Sequence, residues 1–173
     1  MSDPVSIRVT LDQSLPLIPF DLECDLERKK WEPFLLKALE QTPYVSFLPI
    51  ELNLFITHDK GIQPYNLTYR KKDRPTNVLS FPMKEKQAPW QKPLQGPFIL
   101  GDILLNWQAI EREAPEQNCT PGVHFLHLLV HGFLHLLHYD HVEENEAKEM
   151  ESIETQVFLD HGLSDPYTLT HPL

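Results

Sequence analysis

Residues 131–141 read His131-Gly-Phe-Leu-His135-Leu-Leu-His138-Tyr-Asp-His141. Two histidines four positions apart stand one turn apart on one face of a helix, about 6 Å from each other, and both rings can aim at a single point. His141 lies six residues beyond His135 and cannot share that face if the helix runs on unbroken. The chain must leave the helix after about His138 and fold back. Three neutral imidazoles that converge in this way, with a fourth position left to water, form the donor set of a catalytic rather than a structural zinc site. A single buried histidine is more often structural than a ligand, but three at this spacing around a Tyr-Asp turn are hard to account for that way. One Zn²⁺ held by His131, His135 and His141 is therefore expected, although imidazole also suits other late first-row metals. Zinc lowers the pKa of a bound water toward 7, which supplies a nucleophile without a strong side-chain base.

The ligand spacing matches, position for position, the H-E-x-x-H-x-x-G-x-x-H pattern of the metzincin zinc proteases. Gly132 occupies the place of the protease Glu, the general base for zinc-bound water, so zincin-type peptide hydrolysis is not expected. His138 replaces the Gly that helps the chain leave the helix with positive φ, a conformation His adopts at some cost. His124 and His127 fall on the same helix face but one to two turns earlier. They are read as supporting the ligands, lining a groove or packing in the core, not as ligands. Asp140 either accepts an imidazole N–H or caps a turn, and the residues leave both open.

Outward from this segment the chain alternates strands and helices. Val5–Leu11 (VSIRVTL) alternates apolar and polar residues and reads as a strand, followed by a loop marked by Pro16 and Pro19. Glu27–Leu39 places Trp31, Leu35, Ala38 and Leu39 at helical spacing, with Pro33 in the first turn, where a missing N–H is tolerated. Pro49–Thr57 puts Ile50, Leu52, Leu54 and Ile56 on one face of a strand. Lys60–Arg70 reads as a short helix and Asn77–Phe81 as a short strand. Pro82, Pro89, Pro93, Gly96 and Pro97 rule out helix or central strand and mark a surface loop. Phe98–Leu105 is the next strand. Helices follow at about Trp107–Gln117, Pro121–His138 and Glu144–Asp160, the last with Ala147, Met150, Ile153 and Val157 on one face. Eight acids and one lysine lie between Asp140 and Asp160, a run read as a solvated outer face. Strands dominate the first 105 residues and helices the rest, which predicts an α+β fold, a small mixed sheet with packed helices and a zincin-like metal helix and turn.

The chain has 173 residues, 41% hydrophobic and 23% charged. That is the size and composition of one globular domain covering residues 1–173. No apolar run approaches the roughly 20 residues that span a bilayer, and the start lacks the pattern of a secretory signal. The two cysteines, Cys24 and Cys119, are in no metal-type spacing and neither suggest nor exclude a single bridge. A cytoplasmic location with no membrane partner is expected. The net charge of −10 weighs against non-specific nucleic-acid binding, which depends on neutralising phosphates. Any RNA must meet a local basic patch, and Arg70-Lys71-Lys72-Asp73-Arg74 is the densest. A guanidinium there binds a phosphodiester in two-pronged fashion or is part of a solvated charged loop.

Three blocks resemble the YbeY family of rRNA-maturation metallo-endoribonucleases: HGFLHLLHYDH at 131–141, NLTYRKKDRPTNVLSFP at 66–82 and LGDI at 100–103. The Asp165-Pro166-Tyr167 ending is also similar. His138, where that family has Gly, is the mismatch in the first block. The resemblance implies a single α+β domain around a zinc site with ligands His131, His135 and His141, and an important arginine at Arg70 that favours the phosphate role. It also implies single-strand-specific cleavage of RNA in 16S rRNA 3′-end maturation and late ribosome quality control, with rRNA, the small ribosomal subunit and assembly factors as partners. Asp102, Ser80 and Asn77 are candidates for the surroundings of the site: Asp102 to orient a ligand, accept from backbone amides or cap the next element, the other two to line the cleft. Two other readings compete: a ribosome-assembly or binding factor with a structural zinc, and a metal-dependent hydrolase of another substrate.

Overall fold

A computed structural model describes residues 4–13, 15 and 30–168. Its four strands are β1 (Val5–Leu11), β2 (Ile50–Thr57), β3 (Val78–Pro82) and β4 (Phe98–Asn106). Its α-helices are α1 (Glu32–Glu40), α2 (Asp59–Arg70), α3 (Trp107–Glu116), α4 (Pro121–Leu136) and α5 (Glu144–Asp160). The strands form one mixed sheet in the order β1-β2-β4-β3. β1 and β4 run parallel to β2, and β3 runs antiparallel to β4. The expected α+β architecture is the one observed.

The alternation read from β2 is the reason it lies inside the sheet. Ile50, Leu52, Leu54 and Ile56 are all fully buried, and each contributes roughly 1.5–3 kcal/mol of burial. They share one core with Leu35 and Leu39 of α1, Leu129 and Phe133 of α4, and Ile153 and Val157 of α5. The other face carries a smaller cluster in which Ile62 of α2 meets Leu79 and Leu104. β4 serves both layers, with Ile103 and Leu105 in the main core and Leu104 in the small one. Gly101 has φ 142°, and a Cβ there would run into the backbone of Phe81, so the pairing of β3 with β4 needs a glycine at this point.

Most boundaries agree with the sequence reading within a residue or two. Of the helix expected at Glu27–Leu39, the α-helical part starts at Glu32, with Pro33 in its first turn. Residues 27–29, Pro16, Pro19 and Cys24 lie outside the described residues. Cys119 is a free thiol. The proline-rich stretch is a loop, but its centre is anchored. Trp90 stacks on Phe98 with ring centroids 5.0 Å apart and packs against Tyr44 and Phe47. One expectation fails: the acidic run is not solvated throughout. Glu154 of α5 is fully buried, because it stands in the apolar stripe between Met150 and Val157. Among the described residues, no helix is long and apolar enough to cross a membrane.

Candidate metal centre

α4 opens with Thr120, whose Oγ1 accepts the Val123 backbone N–H at 3.3 Å, followed by Pro121 in the first turn. Its far end is closed by two backbone bonds: His138 N–H to the His135 carbonyl and Tyr139 N–H to the Leu134 carbonyl, both at 3.0 Å. With His138 at φ 66°, this is the Schellman closure of a helix. The expected exit from the helix therefore occurs with a histidine in the left-handed conformation. Asp140 Oδ1 then accepts the His141 backbone N–H at 2.8 Å, so of its two candidate roles the turn is the one observed. The folded-back chain delivers His141 to the helix face. His131, His135 and His141 each offer a ring nitrogen, and the three lie within 4.8 Å of one another. The Nε2 atoms of His131 and His135 are 3.1 Å apart.

Burial, then the like charges of His131 and His141, push His135 down from its ordinary 6.5 to about 4. It is therefore neutral near pH 7, the form in which imidazole binds a metal. His131 Nδ1 lies 2.8 Å from Glu154 Oε1. An N–H donated to that carboxylate leaves the lone pair of His131 on Nε2, facing His135. Glu154 Oε2 takes His127 Nε2 at 3.2 Å and the Tyr167 hydroxyl. Burial acts to raise the Glu154 pKa, but the hydrogen bonds and charges of His127 and His131 outweigh it and hold the carboxyl at about 2. Three converging imidazoles, one with its tautomer set by a buried carboxylate, fit a divalent first-row metal.

The two earlier histidines are accounted for by carboxylates. His127 joins Glu154. His124 Nε2 lies 2.8 Å from Glu113 Oε2, which also accepts Asn77 Nδ2 at 2.9 Å. Gly132 has a packing reason. A Cβ there would sit 3.0 Å from Ser80 Oγ, 3.1 Å from Ile103 Cγ2 and 3.3 Å from Val78 Cγ2. Ser80 Oγ donates to the Gly132 carbonyl at 2.9 Å. α4 is thus seated directly on β3 and β4 at Gly132, and a glutamate at this position would collide with the sheet instead of facing the ligands.

A cleft of about 540 Å³ opens over the three histidines and is also lined by Arg70, Asn77 and Ser80. Arg70 ends α2, and Lys71 follows in the left-handed conformation at φ 59°. The basic loop is tied down by Asn66, whose Nδ2 donates to the Arg74 carbonyl at 2.7 Å. Arg70, Lys71, Lys72 and Arg74 are exposed, but only Arg70 of the four lines the histidine cleft. Asp102 does not belong there. It takes Asn53 Nδ2 at 2.7 Å and lines a separate cavity with Phe55 and Leu104. None of the roles expected for it is observed, because its position in β4 points it to the face opposite Ile103. Glu154, Glu113 and Tyr167 were missed by sequence reasoning. The signal for Glu154 was its place at helical spacing among Met150, Val157 and Phe158.

An α+β protein with three histidines that could hold a metal ion, under an arginine-lined cleft, is the class that fold and site define. The family described as Endoribonuclease YbeY matches residues 21–162. The chain is 48% identical over 138 residues to the Endoribonuclease YbeY of Agrobacterium fabrum, covering 80% of this chain and 79% of that one. It is 49% identical over 130 residues to that of Allorhizobium ampelinum, covering 75% of each. The solution structure of TM1509 from Thermotoga maritima resembles the fold with a TM-score of 0.52 at 22% identity, over 90% of this chain and 91% of that one. The chain belongs to the YbeY family.

Proposed function

We propose that the protein is a zinc-dependent endoribonuclease of one domain, acting on single-stranded RNA in the cytoplasm during 16S rRNA 3′-end maturation and late ribosome quality control, with the small subunit and assembly factors as partners. The observation that carries this reading is the sharing of one cleft by Arg70 and the three histidines. His131, His135 and His141 would hold the zinc, which when bound supplies Lewis acidity and a water acidic enough to ionise near pH 7. Arg70 binds the phosphodiester in two-pronged fashion and stabilises the charge that builds on its oxygens. Tyr69 is 64% exposed and stands edge-on to Phe81 at 4.8 Å, and both line the cleft. Aromatic faces there accept unstacked bases, which a duplex does not offer. Gly132 removes the protease-type base, so cleavage of peptides is disfavoured.

The exposed acids of α5 and its N-cap, Glu143, Glu144, Glu149 and Glu151 among them, favour a second activity that is compatible with the first. An acidic face docks onto basic ribosomal proteins.

The test is cleavage of a defined single-stranded RNA by wild type and His135→Ala purified side by side, with metal content measured on both. Wild type cleaves, and the variant loses both its metal and its activity. Equal cleavage by the two would mean a contaminating nuclease. A wild type that carries zinc and cleaves nothing would leave the binding-factor reading in its place. A 2′,3′-cyclic phosphate end on the product would identify the RNA 2′-hydroxyl as the attacking group.

A further inference from the structure

The Asp165-Pro166-Tyr167 turn lines no part of the histidine cleft, yet a chain of hydrogen bonds leads from it to a metal ligand. Asp165 Oδ1 accepts both the Thr155 hydroxyl and the Tyr167 backbone N–H, each at 3.0 Å. Thr168 Oγ1 donates to the Asp165 carbonyl at 3.0 Å. Pro166 is buried beneath the turn. These contacts pin the segment after α5 back onto α5 and carry the Tyr167 ring edge-on to His127, with centroids 5.4 Å apart. Its hydroxyl ends on Glu154 Oε2. His127 Nε2 reaches the same oxygen at 3.2 Å. Glu154 Oε1 is left to His131 Nδ1 at 2.8 Å.

Glu154 has no solvent exposure and, among the described residues, no lysine or arginine paired with it, and such a carboxylate is costly unless its oxygens are filled. Here they are divided. One oxygen takes two donors that come from outside the metal centre, and the other faces the ligand ring. The two outside donors stop the carboxylate from rotating about its Cγ–Cδ bond, and that rotation is what would swing Oε1 away from His131. A firm Nδ1–H bond in turn fixes the ring orientation and raises the basicity of Nε2.

We propose that Tyr167 and Glu154 are positioning residues that set the metal affinity of His131, and that the Asp165-Pro166-Tyr167 turn exists to deliver the Tyr167 hydroxyl to Glu154. This rests on the reading of His131, His135 and His141 as a zinc centre. Neither residue touches the metal or the substrate. A purely structural role would show as lost stability with unchanged affinity.

The experiment measures zinc affinity by competition with a chromophoric chelator on the full chain, with the melting temperature of each metal-stripped protein recorded alongside. Glu154→Gln is expected to weaken zinc binding roughly 10- to 100-fold. Tyr167→Phe removes a single hydroxyl and is expected to weaken it about three- to tenfold. In ¹⁵N spectra of the metal-free chain, the His131 ring shifts away from the Nδ1–H tautomer in both variants. If Glu154→Gln does not fold, Tyr167→Phe decides alone. Wild-type affinity in Tyr167→Phe, or a loss that disappears once its lowered melting temperature is allowed for, overturns the proposal. A wild-type chain that takes up no zinc overturns the metal-centre reading beneath it, an outcome distinguishable from the first two.

Discussion

The two walls of the cleft are built in opposite ways. The histidine wall is fixed from behind: Glu154 and Glu113 hold three of the four histidines of α4, His124, His127 and His131, by hydrogen bonds of 2.8–3.2 Å, and Gly132 seats the helix on the sheet. The arginine wall is exposed, Arg70 included, and is held at its base by Asn66 and by the left-handed turn at Lys71. On the proposed reading the first wall would hold a metal, which needs donors already in place, and the second would meet a flexible phosphodiester with a side chain that can follow it. The difference predicts that substitutions in the first wall act on metal and stability, and those in the second on turnover alone.

Arg70→Ala is the sharpest test of that separation and carries the largest effect. If Arg70 stabilises charge in the transition state as proposed, its loss costs on the order of 10²–10³ in kcat. Metal content and melting temperature should stay at wild-type values, since Arg70 is exposed at the end of its helix. A variant that loses zinc as well would erase the distinction between the walls. Arg70→Lys should recover part of the rate at most, because a point charge does not reproduce the planar fork.

Acid should act on the histidine wall. The pKa of His135 is lowered in the folded chain, so the unfolded chain takes up the proton more readily. Its contribution is complete above pH 6.5 and is lost as pH falls from 6.5 to about 4, by at most about 3 kcal/mol. Glu154 is also lowered, from 4.5 to about 2, so its contribution is present above pH 4.5 and is lost below that. Melting temperatures of the metal-stripped protein should therefore fall in two successive stages between pH 7 and pH 2. Flat stability between pH 6.5 and 4.5 would show that His135 is not held neutral by burial.

Gly132→Ala tests the seat of the helix. The added Cβ meets Ser80 and two branched side chains of the sheet at 3.0–3.3 Å, and such crowding costs about 1–3 kcal/mol. Gly122→Ala in the same helix, whose Cβ comes no nearer than 4.0 Å to Thr120 Oγ1, should be neutral or stabilising by up to about 1 kcal/mol. Urea unfolding of the pair reads the difference directly.

The same contrast explains what was legible in the sequence. His131, His135 and His141 lie within eleven residues, and helix geometry plus one turn brings them together, so spacing alone located them. The strands announced themselves through alternation, most clearly in β2. Arg70 was visible as a basic cluster, but composition could not distinguish a phosphate contact from a solvated loop, because its place opposite the histidines depends on how β3 packs under α4. Glu154 was hidden by its neighbours. In a run of eight acids the one that faces inward differs only by phase, and the run was read as a whole. Asp102 was misplaced for a related reason: a strand residue belongs to one face or the other, and a β-bulge in the pairing of β2 with β4 between Glu51 and Leu52 makes that face hard to count from sequence.

His138 stands where α4 ends at the histidine cleft, and its replacement should give the smallest and most diagnostic effect. As a non-glycine residue at φ 66° it bears a left-handed backbone that costs roughly 1–2 kcal/mol. Glycine would relieve that cost but add about 0.5–1 kcal/mol of chain entropy to be lost on folding. His138 also meets Trp90 edge-on at 6.2 Å, and burial keeps its pKa below the ordinary value. If the histidine only makes the turn, His138→Gly leaves stability within about 1 kcal/mol of wild type by urea unfolding, and zinc affinity is unchanged. If the variant instead loses more than about 2 kcal/mol, the ring is holding the anchored proline-rich loop against the metal helix. The fixed wall would then extend across the mouth of the cleft, leaving only the Arg70 side free to adapt to the RNA.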